Sequence, residues 1–86
     1  MKARIMRVVF EADVHRDRSR FQIPSDAVGL LGLPRHGPIA LVIKDVSGKS
    51  LYAGIQLMAS KYEVYGPDMD KHIKPGQTIL VELSRP

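Results

Sequence analysis

Residues 21–33, FQIPSDAVGLLGL, and residues 62–83, YEVYGPDMDKHIKPGQTILVEL, follow one plan. Each opens on a short apolar strand and passes through a brief helix toward a glycine-bearing turn and an alternating strand. That repetition limits what the chain can fold into. A lone hairpin with a two-turn helix is not stable in water, so the two copies must bury their apolar faces against each other. With 86 residues there is room for one core only. The expectation is a single domain over residues 1–86, with an internal repeat at approximately 1–45 and 50–86.

The local patterns agree with this plan. In IMRVVFEADV, Phe10, Ala12 and Val14 alternate with Glu11 and Asp13 as on a half-buried strand. The polar hexapeptide HRDRSR then turns the chain into FQI, where Phe21 and Ile23 share a face and Pro24 ends the strand. A two-turn helix follows, with Ser25 as N-cap, Val28 and Leu31 on one face, and Gly32 as its stop. PIALVIKD is apolar on both faces and reads as a central strand. VSGK is a hairpin turn, and Gly54 in the returning strand marks a bulge or bend. In the second copy Tyr62 and Val64 share a face, Met69 and Ile73 lie four apart on a brief helix, and KPG leads into QTILVEL. Phe21 matches Tyr62 at a spacing of 41 and Gly37 matches Gly76 at 39, so the register drifts within the helix.

These elements resemble the AbrB and MazE family of swapped-hairpin DNA-binding modules. That family runs a strand into Ile-Pro, a short helix, Leu-Gly-Leu or Ile, then Lys-Pro-Gly-Asp and an alternating strand. Here Ile23-Pro24 and Leu31-Gly32-Leu33 carry the first part, and KPGQTILVEL at residues 74–83 carries the second. The resemblance implies a mainly β fold with short helices, a small pseudo-twofold swapped-hairpin or double-psi-like β-barrel. Family members of half this length pair as homodimers; a chain with both copies can complete the barrel itself, so either a monomer or a hairpin-exchanged homodimer is expected. The resemblance also implies binding of double-stranded DNA, with transcription regulation as the role. MazE-type antitoxin activity fits less well, because that activity relies on a C-terminal tail and here the sequence stops at Pro86, just after QTILVEL.

The charge balance suits that expectation moderately. Thirteen basic against nine acidic residues give a net charge of +4, and residues 1–43 hold seven basic and four acidic groups against six and five in the rest. Arg16, Arg18 and Arg20 fall at period two, so on an extended segment they project to one side and grip successive phosphates. Arg4 and Arg7, with Lys2, would extend this DNA-contacting face. The same loop also suits a solvated hairpin tip, with Asp17 offsetting part of its charge. Tyr62, Tyr65 and Met69 offer a patch for a protein partner, or else close the second half of the barrel. A protein-binding or assembly domain with no nucleic acid role is therefore the alternative reading.

Other function classes are disfavoured. There is no cysteine, and His15, His36 and His72 are too scattered for a metal site; Asp68 and His72, four apart, read as a surface pair. SGKS at 47–50 resembles the end of a phosphate-binding loop, but Ile43 stands where glycine is required. No nucleophile elbow and no Gly-Ser bond of the kind that yields a pyruvoyl group occurs. The expectation is a binding module, not an enzyme, without metal or cofactor. No apolar run reaches membrane-spanning length and no leader-like segment opens the chain, so a cytoplasmic protein is expected.

Overall fold

The computed structural model describes residues 6–65 and 69–86. Six strands are found: β1 (Arg7–Asp13), β2 (Phe21–Gln22), β3 (Pro38–Asp45), β4 (Ser50–Ala59), β5 (Glu63–Val64) and β6 (Thr78–Ser84). One α-helix, α1 (Ser25–Leu31), a 3₁₀ turn at Met69–Lys71 and a tight left-handed turn at Ser60–Tyr62 complete the described elements. All strand pairings are antiparallel, in the order β1-β6-β3-β4-β5-β2, and the sheet curls into a nearly closed barrel. Between its two ends a single backbone bond, His15 N–H to the Arg20 carbonyl at 2.8 Å, takes the place of a β1–β2 ladder.

The pairing scheme is nearly unchanged when β1, β2 and β3 are exchanged for β4, β5 and β6. β1–β6 becomes β4–β3, while β3–β6 and β2–β5 map onto themselves. Loop contacts obey the same exchange. Val14 N–H donates to the Gln77 carbonyl at 2.8 Å, and Met58 N–H donates to the Gly37 carbonyl at 3.2 Å. Val14 and Met58 are both buried and close corresponding ends of the barrel.

Period-two alternation places the core. On the inner face Leu83 stands between Val8 and Leu41, and Val81 between Phe10 and Ile43, each pair fixed by register. Ile39, Leu41 and Ile43 of β3 and Ile79, Val81 and Leu83 of β6 are all buried, as a central strand pair requires. Phe21, Ile23 and Val64 seal one end, with Ala27, Val28 and Leu31 of α1 and with Met69 and Ile73.

Several local readings change in detail. Pro24, not Ser25, occupies the N-cap position, and its carbonyl accepts from Ala27 and Val28; without a side-chain oxygen it makes no side-chain cap. Gly32 ends α1 in the left-handed conformation (φ 61°), with Leu33 N–H reaching back to the Val28 carbonyl at 3.1 Å. The sheet irregularity falls between Ile43 and Lys44, not at Gly54. Gly54 instead gives room to a neighbour: a Cβ there would lie 2.6 Å from the Tyr52 hydroxyl, which passes over it to accept from Gln56 Nε2 at 2.7 Å. Asp68, read as half of a surface pair with His72, lies outside the described residues.

The β3–β4 hairpin is clasped by one carboxylate. Asp45 Oδ1 accepts from Ser47 N–H (2.9 Å), Ser47 Oγ (2.6 Å) and Lys49 N–H (2.9 Å). These bonds favour the charged form, the Ser47 hydroxyl most, and hold the Asp45 carboxyl below its ordinary range. Because the folded value is the lower one, the clasp is fully present above the unfolded value of about 4 and is lost as pH falls through the folded one. An NMR titration of the Asp45 side-chain carbon should therefore inflect below the exposed-carboxylate range, with the Ser47 and Lys49 amides moving in step. An inflection at or above that range would remove the clasp.

Candidate functional site

The connection from β1 to β2, residues 14–20, carries the arginines singled out in the sequence. Its base is firm: Gly76 N–H lies 3.2 and 3.1 Å from the Val14 and His15 carbonyls, and Thr78 Oγ1 donates to Asp13 Oδ1 at 3.0 Å. Above that base the chain does not stay extended. Asp17 N–H meets His15 Nδ1 at 3.3 Å and Arg20 N–H meets the Arg18 carbonyl at 2.8 Å, so 16–19 is a series of bends. The one-sided projection expected from period two does not apply to such a path. The chain must reverse here, and the His15–Arg20 bond sets how tightly.

The arginines differ in their surroundings. Arg16 and Arg18 are exposed and form no ion pair with a described residue. Arg20 is half-buried and its guanidinium lies 3.2 Å from Glu63 of β5, tying the loop to the opposite strand. Both side chains stay partly open to water, and pairs still in contact with solvent stabilise by about 1 kcal/mol or less. Arg7 does not join the loop. It sits at the far end of β1, about 20 Å away at ~3.3 Å per residue, where it meets Glu82 at 3.2 Å. Glu82 also takes Lys44 at 3.7 Å, making a charged strip across the outer face of β1, β6 and β3. Arg4 and Lys2 lie outside the described residues.

The tyrosine patch is corrected in one member. Met69 is fully buried (0% exposed) and belongs to the core, so it is not a protein contact; its spacing of four from Ile73 already aligned it with a buried face. Tyr65 is exposed, whereas Tyr62 packs against the core. Tyr62 has a structural task as well, because Ile23 N–H donates to its carbonyl at 2.8 Å.

A second basic locus was not anticipated. The β4–β5 connection, Ser60–Tyr62, is the counterpart of the 14–20 loop and turns in three residues, with Lys61 (φ 61°) and Tyr62 (φ 59°) both left-handed. It faces the turn Pro34–Gly37, whose tip is Arg35-His36. An open groove of about 660 Å³ lies between them, lined by Gln22, Ser25, Arg35, Lys61 and Tyr62 among others. The turn holding Arg35 depends on Gly37: a Cβ there would be 2.1 Å from Pro34 Cγ, in a ring that cannot swing aside. Gly37→Ala should therefore destabilise the fold by about 1–3 kcal/mol and displace the Arg35 and His36 amide signals. Thermal unfolding with an NMR spectrum checks both, and unchanged stability would show that the turn has another way to close.

Among the described residues no cluster of three or more potential metal ligands occurs, and no helix is long and apolar enough to cross a membrane. Set against protein families, curated proteins and solved structures, the chain matches none.

Proposed function

We propose that this domain is a double-stranded DNA-binding module, in the role of a transcription regulator, that grips backbone phosphates through the 14–20 loop. The observation that carries the reading is the unequal length of two equivalent connections. Three residues, 60–62, suffice between β4 and β5, whereas 14–20 spans seven and contains Arg16, Arg18 and Arg20. Barrel closure needs only the short form, and chain beyond what a scaffold needs is where binding residues concentrate. Arg16 and Arg18 are the gripping pair; Arg20, engaged with Glu63, positions the loop. The likeness of Ile23-Pro24, Leu31-Gly32-Leu33 and Lys74-Pro75-Gly76 to the AbrB and MazE pattern supports the same reading.

The test is fluorescence anisotropy with a random-sequence duplex across a salt series. Affinity should fall steeply with salt, with a log–log slope near −0.9 for each phosphate neutralised. Absence of binding at low salt would overturn the reading. It would favour the second one, a protein-binding domain on the same barrel, for which a specific observation speaks: Val9, Ile55 and Leu57 are 57%, 62% and 64% exposed on the outer face of the sheet.

A further inference from the structure

Positive charge is handled differently at the two ends of the β2–β5 pair. Around the 14–20 loop, the cleft of about 170 Å³ is lined by Asp13 and Glu63 as well as His15 and Arg20, so carboxylates share the space with the cations. Among the described residues, the groove between the Pro34–Gly37 turn and Ser60–Tyr62 has no carboxylate in its lining. A smaller recess of about 220 Å³ continues it, adding His36 and Ser60 beside Arg35, Lys61 and Tyr62. Glu63, the carboxylate nearest in sequence to Lys61, is directed to Arg20 instead. Neither Arg35 nor Lys61 forms an ion pair with a described residue.

The backbone beneath these cations is fixed. Gln22 Nε2 donates to the Lys61 carbonyl at 2.8 Å and Ile23 N–H to the Tyr62 carbonyl at 2.8 Å, so Gln22 and Ile23 hold both left-handed residues in place. The Met58–Gly37 bond joins the Arg35 turn to the same strand end. Arg35 and Lys61 therefore line one groove on a braced frame, with Ser25 and Tyr62 in the same lining. The guanidinium and ammonium of two residues lining one open groove, beside neutral polar side chains and no carboxylate among the described residues of that lining, match the oxygens of a phosphate ester.

We infer that the groove lined by Arg35 and Lys61 is a binding site for a phosphate group, with Gln22, Ser25, Tyr62 and His36 as supporting polar groups. The inference stands on this geometry and does not depend on the DNA reading. The phosphate is carried either by a nucleic-acid backbone or by a small phosphorylated molecule.

The full chain is titrated with inorganic phosphate, chloride being withdrawn to keep ionic strength constant, while amide signals are followed by NMR. Saturable shifts are expected at residues 22–25, 35–36 and 60–62, and should vanish in the Arg35→Ser, Lys61→Asn double variant; asparagine tolerates the left-handed conformation at 61. Both residues are exposed, so the variant should keep a dispersed spectrum. No saturable shift at these residues, or shifts that survive in the variant, would overturn the site. A duplex arm separates the two sources. A variant whose salt slope is shallower by about 1.8 identifies the backbone phosphates of nucleic acid. A variant that loses the phosphate shifts but keeps its duplex affinity identifies a small phosphorylated ligand. If the native chain binds no duplex at all, the DNA reading falls and the phosphate titration still decides the groove.

Discussion

Leu83→Ala is expected to unfold a large share of this domain at physiological temperature. Leu83 is 0% exposed and stands on β6 between Val8 and Leu41, so its loss opens a cavity where three strands meet. Substitutions of this kind cost about 2–5 kcal/mol, against a total of about 5–15 kcal/mol for a domain, with small chains at the low end. The melting temperature should drop by roughly 4–8 °C for each kcal/mol lost. Leu57→Ala is the contrast: Leu57 is exposed on the outer face of β4, and its loss should change stability by no more than about 0.5 kcal/mol. Thermal unfolding of the two variants side by side would refute the core assignment if their costs were alike.

The second large effect concerns binding. With two phosphate contacts removed, the Arg16→Ser, Arg18→Ser variant should show a salt slope shallower by about 1.8 and a duplex affinity lower by roughly tenfold per arginine near 0.1 M salt. Both side chains are exposed and unpaired among the described residues, so stability should stay within about 0.5 kcal/mol of the native chain. Arg20→Ser should act differently. It releases Glu63 and loosens the loop, giving a smaller loss of affinity together with a small loss of stability. Equal affinity for the native chain and the Arg16, Arg18 variant would remove the loop from the interface, leaving the Arg35 and Lys61 groove as the place to look.

The mainly β architecture was legible because strands announce themselves through alternation. Ile39, Leu41 and Ile43, and Ile79, Val81 and Leu83, are buried every second residue as their spacing requires. Gly48 and Gly76 were legible as turns, and both adopt positive φ (92° and 78°). The paths of loops were not legible. HRDRSR was legible as a turn, but the period-two spacing of its arginines describes an extended path, and residues 16–19 bend instead. Pairing partners were hidden as well: Arg7 meets Glu82, 75 positions away, only because β1 and β6 are neighbours in the sheet.

The Arg35 and Lys61 groove was missed because its cations are separated by 26 positions and joined through a backbone bond from β4. A signal did exist. The spacing of 41 that matches Phe21 with Tyr62 also matches Arg20 with Lys61, so the second copy carries a cation at the corresponding step. Following the repeat residue by residue would have pointed to it. For Met69, grouped with Tyr62 and Tyr65 as a partner patch, the spacing of four from Ile73 was the signal of burial.

The strand order also sets the timing of folding. β1, β2 and β3 have no ladder with one another; their ladder partners are β6, β5, and both β4 and β6. As the chain leaves the ribosome, the β3–β4 hairpin is the long pairing within immediate reach. β6, inserted between β1 and β3, arrives after every other described strand. High contact order of this kind places refolding in the range of about milliseconds to seconds. Until residues 78–84 emerge, β1 and β3 present bare edges to whatever is near, and a nascent chain in that state depends on speed of synthesis or on chaperones to stay out of foreign sheets.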